Sequence, residues 1–156
     1  MAQMPAAMTA IHGMVDRCRA ADYPNAVVKV ASGWVVMAEK QVLHGYCLLL
    51  PDPVVPHLNA LTPHLRGQFL ADMAAVGDAL LMVTVGIRIN YAIYGNVEPA
   101  LHAHIFPRGN AEPAATRAAQ PWALDWNAAP GFSEALHGDF KRKLAAQLAA
   151  LSARAR

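Results

Sequence analysis

At 156 residues the chain is about one domain in size, and folding at that size hides roughly two-thirds of the surface the unfolded chain exposes. Hydrophobic residues make up 55% and charged residues 15%, too apolar a balance for a disordered chain. Thirteen Lys and Arg against eleven Asp and Glu leave a formal charge of +2, which argues against a nucleic-acid partner.

Met1 to Gly13 lack the basic region and long apolar stretch of a secretory signal. The longest apolar runs, such as Ala79 to Ile87, fall short of the roughly 18 residues of a spanning helix. Cys18 and Cys47 are the only cysteines and are expected to be reduced thiols, Cys47 as a small core residue. A cytoplasmic protein with no membrane partner is expected.

Taken in chain order, residues 6–20 are predicted to form a first helix with Thr9 as N-cap. Ala26 to Ala38 is valine-rich and broken at Ser32-Gly33, which predicts a hairpin. The run from Gly45 to Leu50, closed by Pro51, suits a central strand buried on both faces. Pro51, Pro53 and Pro56 then keep the chain irregular. Thr62 and Pro63 open a long helix over 63–85, with Leu65, Phe69, Met73, Val76, Leu80 and Val83 as its apolar stripe and Gly86 as its stop.

Two strands follow. Ile87, Ile89, Tyr91 and Ile93 alternate with Arg88, Asn90, Ala92 and Tyr94; after a turn over 95–99, Leu101, Ala103 and Ile105 alternate with His102, His104 and Phe106. One face should pack on helix while the other carries Arg88, Asn90, Tyr94, His102 and His104. Residues 111–130 should be irregular, with Trp122 and Trp126 as packing anchors. Phe140, Leu144, Leu148 and Leu151 mark a last helix, with Lys141, Arg142 and Lys143 on or near its wet face. His12, His64 and His137 should face solvent and His57 should lie in a loop, whereas His44 or Tyr46 could reach the edge of a site. The result is a single α+β domain over 1–156, an antiparallel sheet of about five strands with the 63–85 helix and a C-terminal helix packed on it.

Seven histidines against eleven acids direct the search for a site to His102 and His104. Two apart on a strand, they project from one face about 6–7 Å apart at Cα. Three readings compete: hydrogen-bonded structural rings; a metal pair needing a third ligand from His44, His57 or His64; and a nucleophilic imidazole attacking phosphorus beside phosphate-holding donors.

The segment Tyr94-Gly-Asn-Val-Glu-Pro-Ala-Leu-His-Ala-His-Ile-Phe-Pro-Arg108 resembles the signature of the histidine triad (HIT) family of nucleotidyl hydrolases and transferases. The Gly45-Tyr-Cys-Leu-Leu-Leu-Pro51 strand and the helix between it and the motif add to the likeness, which runs from about residue 28 to 108. It is similar to the bacterial diadenosine-polyphosphate-hydrolase-like branch. The resemblance implies a HIT-like fold and His102 as the nucleophile that forms a covalent nucleotidyl-histidine. It implies His104 and Asn96 as groups holding phosphate oxygens, and chemistry that needs no metal or other cofactor. Glu39 falls near the family's ribose-binding position, and Asn90 and Tyr94 lie on the site face as substrate contacts. Arg108 would add charge at the phosphate end or would be an exposed strand-end arginine. A homodimer through the long helix and the strand beside it is implied as well. The chain departs from the family pattern at the first triad position, where Ala100 stands, which leaves rate and leaving group open. The rival reading is a non-catalytic nucleotide-binding protein with a reduced triad.

Overall fold

The computed structural model describes residues 7–154. Residues 1–6, which include the first residue of the expected opening helix and part of the segment read for an export signal, lie outside them. The elements are α1 (Ala10–Arg19), β1 (Ala26–Val30), β2 (Gly33–Met37), β3 (Cys47–Pro51), α2 (Pro63–Thr84), β4 (Arg88–Ala92), β5 (Ala103–Arg108), α3 (Ala114–Arg117) and α4 (Glu134–Arg154). The strands form one antiparallel sheet in the order β1-β2-β3-β5-β4. This is the expected α+β arrangement of a five-stranded sheet with a long helix and a C-terminal helix.

The sheet packs on both faces, which explains why every residue of β3 is buried. Cys47 and Leu49 join α2 and α4 through Phe69, Val76, Leu80, Leu144 and Leu148. Leu48 and Leu50 point the other way, into a second cluster with Ile11, Val15 and Cys18 of α1 and Phe106 of β5. Period-two alternation on a strand sends neighbours to opposite faces, so covering both faces needs an apolar residue at every position. The second cluster corrects the expectation of a sheet with helix on one side only. α1 and the segment around Trp126 cover the face that carries the histidines.

Local signals explain most boundaries. Thr62 accepts a hydrogen bond from the Leu65 N–H at 3.3 Å, with Pro63 at the first helical position. At the other end of α2 the left-handed residue is Val85 (φ 52°), not Gly86. A Cβ at Gly86 would lie 2.9 Å from Thr84 Oγ1, so a side chain there would displace that hydroxyl from the Leu80 carbonyl. Leu65, placed on the apolar stripe, is exposed because it sits in the first turn, before the helix reaches the core. Among the described helices, α2 alone is long and apolar enough by length and composition to cross a membrane; here its buried side chains pack on the sheet and α4. His137 is buried, against expectation: its Nδ1 accepts the Ser133 N–H at 3.1 Å at the start of α4.

Candidate active site

β5 sends Ala103 and Ile105 into the helix-side core, and therefore turns His104 and Phe106, with His102 just before the strand, to the opposite face. The His102 and His104 rings meet edge to face with centroids 4.7 Å apart. His102 is 6% exposed, and its Nδ1 lies 2.8 Å from the Ala100 carbonyl oxygen. A carbonyl can only accept, so Nδ1 carries the proton and donates; Nε2 is left with a free lone pair. His104 Nδ1 lies 2.6 Å from the Tyr46 hydroxyl. Neither Nε2 is among the buried polar atoms sealed from partners.

Burial, and then the neighbouring His102, push the His104 pKa down from 6.5 to about 4. His104 is therefore neutral at pH 7 and can act as a donor or acceptor but not as a cation. The unfolded chain protonates this residue near 6.5 and the folded ring only near 4. The stability tied to the neutral ring is thus complete above about pH 6.5 and is lost as pH falls from there towards 4. A shift of this size corresponds to about 3 kcal/mol at most, and less for a ring that keeps some solvent contact. The thermal midpoint is expected to drop through this window, and His104→Phe, which cannot titrate, is expected to flatten the drop. An unchanged acid slope in the variant would overturn this account.

The other expected residues separate into groups. Tyr94 is 52% exposed and packs edge-on against Trp122 at 4.9 Å. Arg108 is neither an exposed strand-end arginine nor a free phosphate ligand. It is buried, with Nε and Nη2 on the Glu112 carboxylate at 2.8 and 2.7 Å and Nη1 on Asn90 Oδ1 at 3.0 Å and the Ala119 carbonyl at 2.8 Å. Nη2 also reaches the Thr116 and Arg117 carbonyls. All five N–H groups of the guanidinium fork are engaged, so Arg108 and Asn90 tie residues 112–119 to the sheet. Burial works against ionisation of Glu112, but the Arg108 hydrogen bonds and the Gly109 N–H hold its carboxyl below the ordinary value. Asn96 is exposed in the β4–β5 turn, and Glu39 is exposed just beyond β2, where its carbonyl accepts the Phe132 N–H. His44 packs against Phe140 instead of the pair. Among the described residues no three His, Cys, Asp or Glu side chains gather into a group that could hold a metal.

Trp122 and Glu98 gain a place that the sequence did not give them, and Tyr46, expected as a residue that could reach the edge of the site, does reach it. Trp122, expected as a packing anchor, is 45% exposed and stands edge-on to His104 at 5.1 Å and to Phe106 at 5.3 Å. Tyr46 stacks on Phe106 at 4.1 Å while it bonds His104; its even spacing from Leu48 and Leu50 was the signal for its face. Glu98 accepts the Ala100 N–H and the Ala10 N–H, both at 3.1 Å. It thereby pins the turn before His102 to the first turn of α1. A cavity of about 770 Å³ opens beyond Trp122, Tyr94 and Phe106, with Arg88 and Arg117 on its rim. Ala100, two residues before His102, is 3% exposed within the second cluster, so its place is filled by packing.

No protein-family model matches the chain, and no curated protein matches it. Solved structures do. A histidine triad protein from Marinobacter aquaeolei is 19% identical, with a TM-score of 0.68 over 93% of this chain and 99% of that one. A histidine triad protein from Bradyrhizobium japonicum is 20% identical, with a TM-score of 0.67 over 80% of this chain and 91% of that one. A hypothetical histidine triad nucleotide-binding protein from Sulfolobus tokodaii is 12% identical, with a TM-score of 0.69 over 89% and 93%. The fold is the one these histidine triad proteins share.

Proposed function

We propose that this chain, built on the histidine triad fold, is a nucleotidyl hydrolase or transferase. Its substrate is a nucleoside phosphoanhydride or phosphoramidate of the diadenosine-polyphosphate type, cleaved through a covalent nucleotidyl-histidine on His102. The observation that carries this reading is the Ala100 carbonyl 2.8 Å from His102 Nδ1, which leaves the Nε2 lone pair free to attack.

In the proposed reaction, Nε2 forms a bond to the α-phosphorus as the bond to the leaving group breaks, and that group departs with its electron pair and takes a proton. Water then attacks the same phosphorus, releases the nucleoside monophosphate and restores the imidazole. Imidazole suits both steps, being neutral near pH 7 and a good leaving group from phosphorus. His104 and Asn96 hold phosphate oxygens as charge develops on them. Tyr94 contacts the substrate beside Trp122, and Glu39 takes the ribose end. No metal enters these steps.

We place the protein in the cytosol, a reading supported by Cys18 and Cys47, both free and buried. We further infer a homodimer formed along α2 and the edge strand β4, where Met82, Val85, Ile87 and Tyr91 are exposed.

The test is turnover of diadenosine polyphosphates, adenosine phosphoramidate and a fluorogenic adenylyl ester, with and without chelator. Release of AMP that is indifferent to chelator is expected. Nucleotide binding with no release from any compound would overturn the enzyme reading in favour of a binding protein whose first triad position is closed by Ala100.

A further inference from the structure

We propose that Tyr46 is a positioning residue: its hydroxyl fixes His104 as the tautomer protonated on Nε2, so that the two neighbouring rings offer opposite functions, a lone pair from His102 and an N–H from His104. Its catalytic consequence rests on the phosphoryl chemistry proposed above; its structural part does not.

The direction of the Tyr46–His104 hydrogen bond decides the matter. At 2.6 Å the contact falls in the range of O–H donors and below the usual N–H···O distance. Among the described residues the Tyr46 hydroxyl has no other hydrogen-bond partner. If His104 Nδ1–H donated to it, the phenolic proton would have no acceptor in a half-dry site, which is costly. Burial, together with Cys47, pushes the Tyr46 pKa up, so the phenol keeps its proton. Tyr46 therefore donates, His104 Nδ1 accepts, and the one remaining ring proton sits on Nε2.

The arrangement is rigid. Tyr46 stacks on Phe106 with centroids 4.1 Å apart and meets Trp126 edge-on at 5.9 Å. The chain enters Tyr46 through Gly45 at φ 86°, where a Cβ would lie 2.8 Å from Phe140 Cζ. A larger residue at 45 would be strained at this φ and would press on the Phe140 ring. On the far side Trp122 closes on the His104 ring at 5.1 Å. A histidine chemically able to present a lone pair is thus held as a donor. That difference matters because a second lone pair aimed at a phosphate would repel it, whereas an N–H stabilises the charge developing on its oxygens.

The test uses nitrogen-15 NMR of the imidazoles together with kinetics. In the wild type, His104 is expected to show a protonated Nε2 and an unprotonated, hydrogen-bonded Nδ1. In Tyr46→Phe, which keeps the ring stack, this signature should give way to exchange between tautomers. On the substrate that the wild type turns over, kcat should fall about tenfold or more with KM little changed. Introduction of 3-fluorotyrosine at position 46, which retains the O–H donor, should retain both the signature and kcat. A wild-type His104 protonated on Nδ1, or a Tyr46→Phe protein with unchanged tautomer and kcat, would overturn the proposal. If no substrate is turned over, the function reading fails, while the wild-type spectrum still decides the tautomer.

Discussion

Replacing His102 by alanine is expected to reduce turnover by about a thousandfold or more while nucleotide affinity changes little. The reasoning is one of substitutes. His104 Nδ1 is occupied by the Tyr46 hydroxyl, and its ring is the one proposed to hold a phosphate oxygen. The thiols offer nothing: burial raises Cys47 above the ordinary cysteine value and Cys18 to about 11, and both are buried. With His102 gone, the site retains the groups proposed to hold phosphate and loses the atom proposed to form the bond, which separates kcat from binding. The variant frees the Ala100 carbonyl from one hydrogen bond and removes a buried ring that packs on His104, a structural cost of about 1–3 kcal/mol. Its thermal midpoint should therefore fall by a few degrees while the protein stays folded. Measuring kcat, nucleotide affinity and melting together checks the prediction, and turnover within tenfold of wild type would remove His102 as nucleophile.

The largest stability effect is expected at Arg108. Arg108→Ala would leave the Glu112 carboxylate without its ionic partner, and Asn90 Oδ1 and the Ala119, Thr116 and Arg117 carbonyls without their donor. Removing one member of a fully buried ion pair costs about 3–5 kcal/mol because the partner charge is left uncompensated; Glu112 is only partly buried and can regain water, so about 2–3 kcal/mol is expected. The loss should be local in origin, since all these acceptors except Asn90 on β4 lie on the segment that ends in Trp122. Denaturant unfolding should show the decrease, and the fluorescence of Trp122 should report its release from His104. Arg88→Ala is the control: its side chain is exposed and enters no ion pair among the described residues, so about 0.5 kcal/mol or less is expected. A cost at Arg108 as small as that at Arg88 would show that the ion pair does not hold the segment.

The two residues illustrate how much a strand pattern can reveal. Alternation put His102 and His104 on one face of β5, and the face opposite Ala103 and Ile105 is where they lie. The same alternation put Arg108 on that face too, but a face does not specify a partner. Glu112 and the carbonyls of 116–119 return over the strand only once the chain has turned after Gly109. Trp122 was legible as an aromatic anchor, yet its exposure beside His104 depends on that same turn.

What the sequence determined by itself was local and periodic. It specified the Ser32-Gly33 hairpin, the Thr62-Pro63 helix start, the doubly buried β3 and the shared face of the two histidines. Each depends on dihedral preference, hydrogen-bond capping or spacing within a few residues of chain. The tertiary structure decided the rest. α1 covers the histidine face, Ala100 is packed shut, Arg108 is spent on Glu112, and Tyr46 reaches His104 from 58 residues away. These are pairings across strands and loops, and a hydrogen-bond partner is selected by where the backbone brings two groups together, not by the residue's own neighbours in the chain.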